Sequence, residues 1–242
     1  MNKKIVLLTL FIVVLLFAMF ATVSARTVGV WPYDEFEYGD IVAYWNSNDP
    51  SQTCPDSLLE VNETESFNGI VQGISGTNIT LQMTVHFKNG SSETSIGCID
   101  IDTGEGNMSN AVIAADLNAG DPIYISSPEI INETMPRDYP GGQRATNHLN
   151  MTQEYTWPGG RQYISWNYYW DRQIGIFVEM YIEFFMESPM GITTWSELMR
   201  ITSSNRWVIP EYPTSASILV LFVALSFAIV IYKRRLLETM FH

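Results

Sequence analysis

The chain contains little positive charge and little cysteine. Its 242 residues include 13 Lys and Arg against 26 Asp and Glu, which gives a net charge of -13, and 2 Cys. Nucleic-acid binding needs a basic face, so this composition predicts no nucleic-acid partner. Two cysteines also exclude a disulfide-stapled miniprotein, and 46% hydrophobic residues exclude a disordered acidic tail. The composition instead indicates one globular domain with additional apolar segments.

The N-terminus begins with Lys3 and Lys4, continues as an apolar run from Ile5 to Phe20, and reaches the small residues Val23-Ser24-Ala25. This order is typical of a secretory signal peptide over residues 1–25, although the length of the run also fits an uncleaved signal anchor. Both versions export the residues that follow.

A second apolar run at residues 214–232 predicts a transmembrane helix. About 20 residues at about 1.5 Å per residue span the hydrocarbon core of a bilayer. The stop-transfer cluster Lys233, Arg234 and Arg235 follows and predicts a cytoplasmic tail over residues 233–242. We therefore expect a single-pass protein of the cell membrane, with the ectodomain, residues 26–209, outside.

The segment before this span, residues 210–213, reads Pro210-Glu211-Tyr212-Pro213. It resembles the Pro-Glu-Phe type of C-terminal sorting signal of archaeal surface proteins, with Tyr in place of Phe. The resemblance implies cleavage by an archaeosortase and transfer of the protein to a lipid. The two prolines also fit a short, stiff stalk without any processing.

The ectodomain has the composition of a surface domain. It holds 24 acidic and 8 basic residues, and this self-repelling exterior favours solubility. Six Asn-x-Ser/Thr sequons predict a glycoprotein. They are Asn62, Asn78, Asn89, Asn107, Asn132 and Asn150. We expect membrane lipid as one partner, with surface-layer or other envelope proteins, glycans or lipids as further ones.

Cys54 and Cys98 predict one disulfide, because both lie in the exported segment and an oxidising compartment favours pairing. Two unpaired cysteines are the alternative, since sequence does not show whether their Cβ atoms meet. Together with His86 and His148 they show no metal-ligand spacing, so we expect no metal and no cofactor.

Hydrophobicity of period two dominates the ectodomain. Apolar residues alternate with other side chains from Ile79 to Phe87 and from Ile176 to Glu187. Further strands are predicted at residues 40–45, 67–74, 94–101, 111–115, 122–126, 143–149, 162–170 and 198–202, and no amphipathic helix is predicted. This pattern favours an all-β fold, either an antiparallel sandwich or a curved sheet of half-barrel type.

Two resemblances refine this expectation. The run from Tyr169 to Glu179 resembles the strand, Asp-centred turn and strand of bacterial lipoprotein-carrier half-barrels, which implies the curved sheet. It is more similar to an uncharacterised family of archaeal surface proteins, in which Gly-Asp starts, here Gly39-Asp40 and Gly120-Asp121, accompany a Tyr-Trp-Asp hairpin. The second resemblance implies a cell-surface protein and brings no known activity.

Aromatic side chains offer the main candidate binding surface. Trp157, Trp166, Tyr168 and Trp170 are suited to stack on glycans or apolar ligands, and a hydrophobic core is the alternative for the same residues. The segment from Asp100 to Asn107 has the alternate carboxylates of a calcium loop but fails the EF-hand pattern, so we expect a hairpin turn there.

The sequence shows no catalytic constellation. His86 and His148 lack a zinc motif or nucleophile elbow, and we expect them in solvated positions, like Glu179, Glu183 and Glu187. We therefore predict a membrane-anchored, non-enzymatic surface protein with a binding or envelope-structural ectodomain. A half-barrel carrier of lipid or another apolar ligand is the alternative, and a surface hydrolase is a third hypothesis. An open apolar trough favours the carrier, and a filled core favours the first hypothesis.

Overall fold

The fold is seen in a computed structural model that describes residues 26–207. The predicted signal segment at 1–25, the stalk at 210–213, the transmembrane helix at 214–232 and the tail at 233–242 all lie outside the described residues. Among residues 26–207, no helix is long and apolar enough to span a bilayer.

Nine strands, one short helix and a final 3-10 turn form the described part of the chain. In chain order they are β1 (Glu35–Ser47), α1 (Asp56–Glu63), β2 (Thr64–Ser75), β3 (Asn78–Phe87), β4 (Ser92–Asp100), β5 (Glu133–Tyr139), β6 (Gly142–Trp157), β7 (Gly160–Asp171), β8 (Phe177–Ser188), β9 (Gly191–Ser204) and the turn Asn205–Trp207. The strands form one antiparallel sheet in the order β4-β3-β2-β1-β9-β8-β7-β6-β5. The predicted all-β class is confirmed, and one sheet forms instead of the two sheets of a sandwich.

The strands predicted most clearly by alternation are confirmed as β3 and β8. Residues 111–115 and 122–126, in contrast, do not form strands of the sheet. They belong to a segment that we call the connector, residues 101–132, which joins β4 to β5. Val112, Ile113 and Ile123 of the connector are buried. Their apolar character therefore reflects burial rather than strand pairing.

The helix α1 was not expected from the sequence. It lies beside the second half of β1, where Asn62 of α1 takes the place of a neighbouring strand. The Asn62 amide accepts a hydrogen bond from the backbone N–H of Ala43 and donates one to its carbonyl oxygen, both at 3.0 Å. With eight residues, α1 is too short to produce a clear helical period in the sequence.

The sheet curves strongly. One pocket has both Met83 of β3 and Tyr168 of β7 in its wall, although five strand-to-strand steps separate these strands in the sheet order. At about 4.8 Å per step, a flat sheet would hold them about 24 Å apart, which is too far for a pocket of this size. We call the concave side with the pocket the inner face, and the other side the outer face.

The connector packs on the inner face and is attached to the edge strand β4 and to the turn between β7 and β8, two interior strands. On one side, the N–H of Met108 donates to the carbonyl oxygen of Cys98 in β4 (3.2 Å). On the other, the N–H of Ile113 donates to the carbonyl oxygen of Gly175, next to β8 (2.9 Å). A Cβ at Gly97 would overlap the Asn107 side chain, and one at Gly175 would overlap the Ile113 carbonyl. Glycine at these two positions therefore permits the close approach.

Asp171 organises the β7–β8 turn to which the connector is attached. Its side chain is 1% exposed, and one oxygen accepts hydrogen bonds from the backbone N–H groups of Gln173 (2.9 Å) and Ile174 (3.2 Å). The other oxygen forms an ion pair with Nε of Arg144 at 2.8 Å. The Tyr-Trp-Asp hairpin seen in the sequence is thus a structural turn.

Candidate apolar ligand site

An apolar pocket of about 360 Å³ opens on the inner face beneath residues 107–111 of the connector. Aromatic and methionine side chains dominate its wall: Phe36, Tyr38, Phe67, Met83, Met108, Tyr168, Phe177, Met180 and Met199. The volume lies within the range of about 300–1,000 Å³ that is typical of small-molecule sites. Methionine side chains adapt easily to the shape of a ligand, so this wall suits a flexible apolar chain.

Tyr38 fixes the centre of the pocket wall. It is buried, and its hydroxyl donates to the carbonyl oxygen of Phe177 at 2.7 Å. Burial raises the pKa of Tyr38, so the hydroxyl stays protonated and keeps this hydrogen bond. The bond joins β1 to β8 directly and holds two walls of the pocket together.

Three transverse rows of inner-face side chains run across β6, β7, β8, β9 and β1, starting at the pocket. The first row is Leu149, Tyr168, Met180, Met199 and Ile41, the second is Met151, Trp166, Ile182, Glu197 and Ala43, and the third is Gln153, Ile164, Phe184, Trp195 and Trp45. Neighbouring rows lie about 6.7 Å apart, since they are two residues apart along each strand. We call the second and third rows the trough. Its side chains are half-buried apart from the exposed Gln153. All of them except Glu197 and Gln153 are apolar or aromatic, and a largely apolar surface of this kind is typical of a binding site.

The structure separates the four residues of the predicted aromatic platform. Tyr168 lines the pocket and Trp166 lies in the trough. Trp170 is fully buried, and its indole N–H donates to the carbonyl oxygen of Asn110 at 2.8 Å, so the core alternative applies to it. Trp157, at the end of β6, is 40% exposed. Two of the four residues therefore belong to one apolar site.

Sequence reasoning did not find the rest of the pocket. Tyr38, Phe67, Met83 and Met199 come from strands β1, β2, β3 and β9, which are far apart in the chain. The alternation of Met83 with polar neighbours in β3 shows that its face is apolar. Which strands share that face depends on the pairing of β1 with β9.

One charged side chain, Glu197, lies in the trough. Its row neighbours are Ile182 on β8 and Ala43 on β1. Burial raises the pKa of the Glu197 carboxyl. Burial, and secondly the negative charge of Glu197, raise the pKa of the Tyr168 hydroxyl. The Glu197 carboxylate and the Tyr168 hydroxyl therefore interact electrostatically within a largely apolar surface.

The outer face carries a buried ion cluster around Glu179. Its carboxylate lies 2.5 Å from Arg137 and 3.4 Å from Arg200, and the hydroxyl of Tyr139 donates to it at 3.3 Å. The residue is 5% exposed, so the expected solvent-facing position of Glu179 is wrong. The reason is that the β5–β6 hairpin brings Arg137 and Tyr139 over this part of the outer face. Burial, and then the Glu179 charge, raise the pKa of Tyr139, which keeps its hydroxyl a donor.

The expected solvated position of His148 is also wrong. His148 is buried and stacks on Tyr169 with ring centroids 4.4 Å apart. Its ring nitrogens lie 2.9 Å from the Glu133 carboxylate and 3.0 Å from the Asn167 amide oxygen. Both nitrogens are engaged within the protein, so this histidine has a packing role. His86, on β3, forms an exposed hydrogen bond with the hydroxyl of Ser92 at 2.8 Å.

The segment from Asp100 to Asn107 begins with a turn, as expected. An oxygen of the Asp100 carboxylate accepts hydrogen bonds from the backbone N–H groups of Asp102 (2.8 Å) and Thr103 (3.4 Å). Among residues 26–207, no group of three or more His, Cys, Asp or Glu side chains is arranged to hold a metal ion.

The predicted disulfide is not formed, and Cys54 and Cys98 are free thiols. Cys54 precedes α1, which lies against β1, whereas Cys98 belongs to the edge strand β4. Three strand-to-strand steps separate β4 from β1, or about 14 Å. A disulfide requires Cα atoms within about 7 Å of each other, so the strands β3 and β2 between β4 and β1 keep the two thiols apart.

The six sequons differ in how their side chains are used. The Asn62 amide completes the edge of β1, as described above. Asn107 accepts a hydrogen bond from the N–H of Cys98 (2.9 Å), and Asn132 accepts one from the N–H of Asn150 (2.5 Å). Asn78 is half-buried at the start of β3. Glycosylation of these positions stays a prediction.

We predict that Asn150 is unmodified and that Asn89 carries a glycan. The Asn150 amide nitrogen donates to Ser165 (3.1 Å) and Asn167 (2.9 Å), which uses both of its hydrogens, and a glycan would replace one of them. Asn89 is exposed at the β3–β4 turn and uses its oxygen, bonded to Ser91. Mass spectrometry of glycopeptides from the native host measures both occupancies. A fully occupied Asn150 would contradict the prediction.

The fold and the pocket define an all-β protein with a concave, largely apolar inner face. No protein-family model matches the chain, and no curated protein matches it. The chemistry of the pocket and the trough is therefore the basis for a functional conclusion.

Proposed function

We propose that this chain is a membrane-anchored cell-surface protein whose ectodomain binds the hydrocarbon chain of a membrane lipid. The pocket of about 360 Å³, with its aromatic and methionine wall, is the observation that carries the proposal. Burying a hydrocarbon chain in such a pocket stabilises the complex by about 0.8 kcal/mol for each CH₂ group. The half-buried trough extends the same surface beyond the pocket.

A lipid chain fits better than a glycan. Glycan sites combine aromatic faces with hydrogen-bonding groups, whereas most side chains of the pocket wall are hydrocarbon or thioether. The signal and transmembrane segments proposed at the two ends of the chain would keep the ectodomain at a bilayer surface. Because the ectodomain has 24 acidic and 8 basic residues, attraction to anionic head groups would not favour binding. The hydrophobic effect would therefore provide the affinity.

The resemblance to lipoprotein-carrier half-barrels supports the same proposal. In this protein a single curved sheet also presents an apolar inner face, and the connector leaves a pocket open instead of filling the inner face completely. A purely envelope-structural role would have no use for this unfilled space. For a hydrolase, His148 is the better placed histidine, but both of its nitrogens are engaged. We therefore propose a binding protein without enzymatic activity.

Filling the pocket tests the proposal. The full chain, in phosphatidylcholine vesicles, is labelled with a photoreactive long-chain alcohol, and the labelled peptides are identified by mass spectrometry. We expect labelling of β8 and β9 around Met180 and Met199. Met180→Trp places an indole in the pocket, and we expect labelling to fall about tenfold, which corresponds to about 1.4 kcal/mol of binding free energy.

Tyr181→Trp is the matched control, because it adds an indole to the outer face of the same strand. The long-chain alcohol should label this variant to the same extent as the unaltered chain. Labelling that Met180→Trp leaves unchanged, or that is spread evenly over both faces, would show that no lipid chain enters the pocket.

A further inference from the structure

Glu197 is the single charged residue in the three rows that cross the inner face. Its neighbours in the second row are Ile182 and Ala43, and the adjacent inner-face residues of β9 are Met199 and Trp195. Within these rows the other side chains are apolar, apart from Tyr168 and Gln153. A carboxylate placed here for solubility alone would be better hydrated on the outer face.

The described residues provide no partner for this carboxylate. No hydrogen bond or ion pair joins Glu197 to another residue between 26 and 207, and the Tyr168 hydroxyl is the group that senses its charge. The two arginines nearest in the strand pairing, Arg161 and Arg200, belong to the outer face, where they pair with Glu187 and Glu179. An unpaired charge in partly apolar surroundings costs free energy. A bound cation would remove this cost.

A carboxylate accepts hydrogen bonds and does not donate them, so its complement is a donor and preferably a cation. Trp195 lies in the adjacent row on the strand of Glu197, and Trp166 lies in the row of Glu197, two strands away beyond Ile182. Aromatic faces attract ammonium groups as well. The trough thus combines a hydrocarbon surface with one acidic position and two tryptophans, of which Trp195 is in the adjacent row.

We propose that the ligand of this site is an amine-bearing lipid, with its hydrocarbon chain in the pocket and trough and its ammonium group paired with Glu197. This inference rests on the proposed function and names the chemical class of the ligand. Glu197 lies in the second row and the pocket residue Met199 in the first, so an ammonium group at Glu197 would lie one row, about 7 Å, from the pocket wall. The hydrocarbon next to the amine would therefore pass directly from the second row into the pocket.

Three probes of equal chain length test the head group. Dodecylamine, dodecanol and dodecanoic acid, each with the same photoreactive diazirine in the chain, are offered to the full chain in phosphatidylcholine vesicles at pH 7. We expect the amine to label the inner-face peptides about tenfold more than the alcohol, as a hydrogen-bonded ion pair would provide, and the acid to label least. In the Glu197→Gln variant, labelling by the amine should fall to the level of labelling by the alcohol, and labelling by the alcohol should stay unchanged.

Glu154→Gln is the matched control. It removes the same charge from an exposed position of β6 on the outer face, and it should leave the preference for the amine unchanged. Equal labelling by amine and alcohol in the unaltered chain, or the same loss in both variants, would overturn the inference while leaving the proposed function intact. Failure of all three probes to label the inner face would overturn both.

Discussion

Replacing Asp171 with alanine is expected to lower the free energy of unfolding by about 3–5 kcal/mol, the usual cost of removing one partner of a buried ion pair. The Asp171 carboxylate is 1% exposed, and its removal leaves Arg144, 13% exposed, without this partner. It also leaves the N–H groups of Gln173 and Ile174 without their acceptor. The β7–β8 turn, to which the connector is attached, would lose these three contacts.

Urea unfolding of the full chain in detergent, followed by tryptophan fluorescence, measures this loss. Asp40→Ala, at an exposed position of β1, is the control and should change stability by less than about 0.5 kcal/mol. An Asp171→Ala, Arg144→Ala double variant should lose less than the sum of the two single changes, because each removes the same ion pair. A loss below about 1 kcal/mol for Asp171→Ala would contradict the assigned role.

Glu179→Ala is expected to have an effect of similar size, about 3–5 kcal/mol. The Glu179 carboxylate compensates two guanidinium groups, those of Arg137 at 2.5 Å and Arg200 at 3.4 Å. Without it, two partly buried positive charges face each other on the outer face. The hydrogen bond from the Tyr139 hydroxyl to Glu179 is lost as well.

The matched control for Glu179 lies on the same face of the same strand. Glu187 pairs with Arg161 at 2.9 Å, but these side chains are 48% and 59% exposed. An exposed ion pair contributes about 0–1 kcal/mol, so Glu187→Ala should be nearly neutral in the same urea measurement. Equal losses for Glu179→Ala and Glu187→Ala would show that burial of the cluster does not matter for stability.

The sequence predicts strands well where apolar residues recur at every second position. β3 and β8 show this period and are found almost where expected, although the outer face of β8 is also buried around Glu179. The prediction of strands at residues 111–115 and 122–126 is wrong. Their apolar side chains are buried because the connector packs on the sheet. Local alternation does not separate these two kinds of burial.

The candidate site is less predictable because it depends on strand pairing. The face shared by Trp166 and Tyr168 follows from the sequence, but their nearness to Met83 and Met199 requires the curvature and the β1–β9 pairing. Glu179 and Glu197 show the same limit. Both are acidic residues in alternating strands, yet one is enclosed by arginines and the other lies among apolar side chains.

The first residues of the connector also protect an open edge of the sheet. Beyond the Met108 contact with Cys98, the N–H of Asp100 donates to the carbonyl oxygen of Glu105 at 2.8 Å, and Asn107 accepts from the N–H of Cys98. The last three residues of β4 are therefore occupied by their own chain. This self-capping removes a template on which neighbouring molecules would otherwise add strands and grow into fibres.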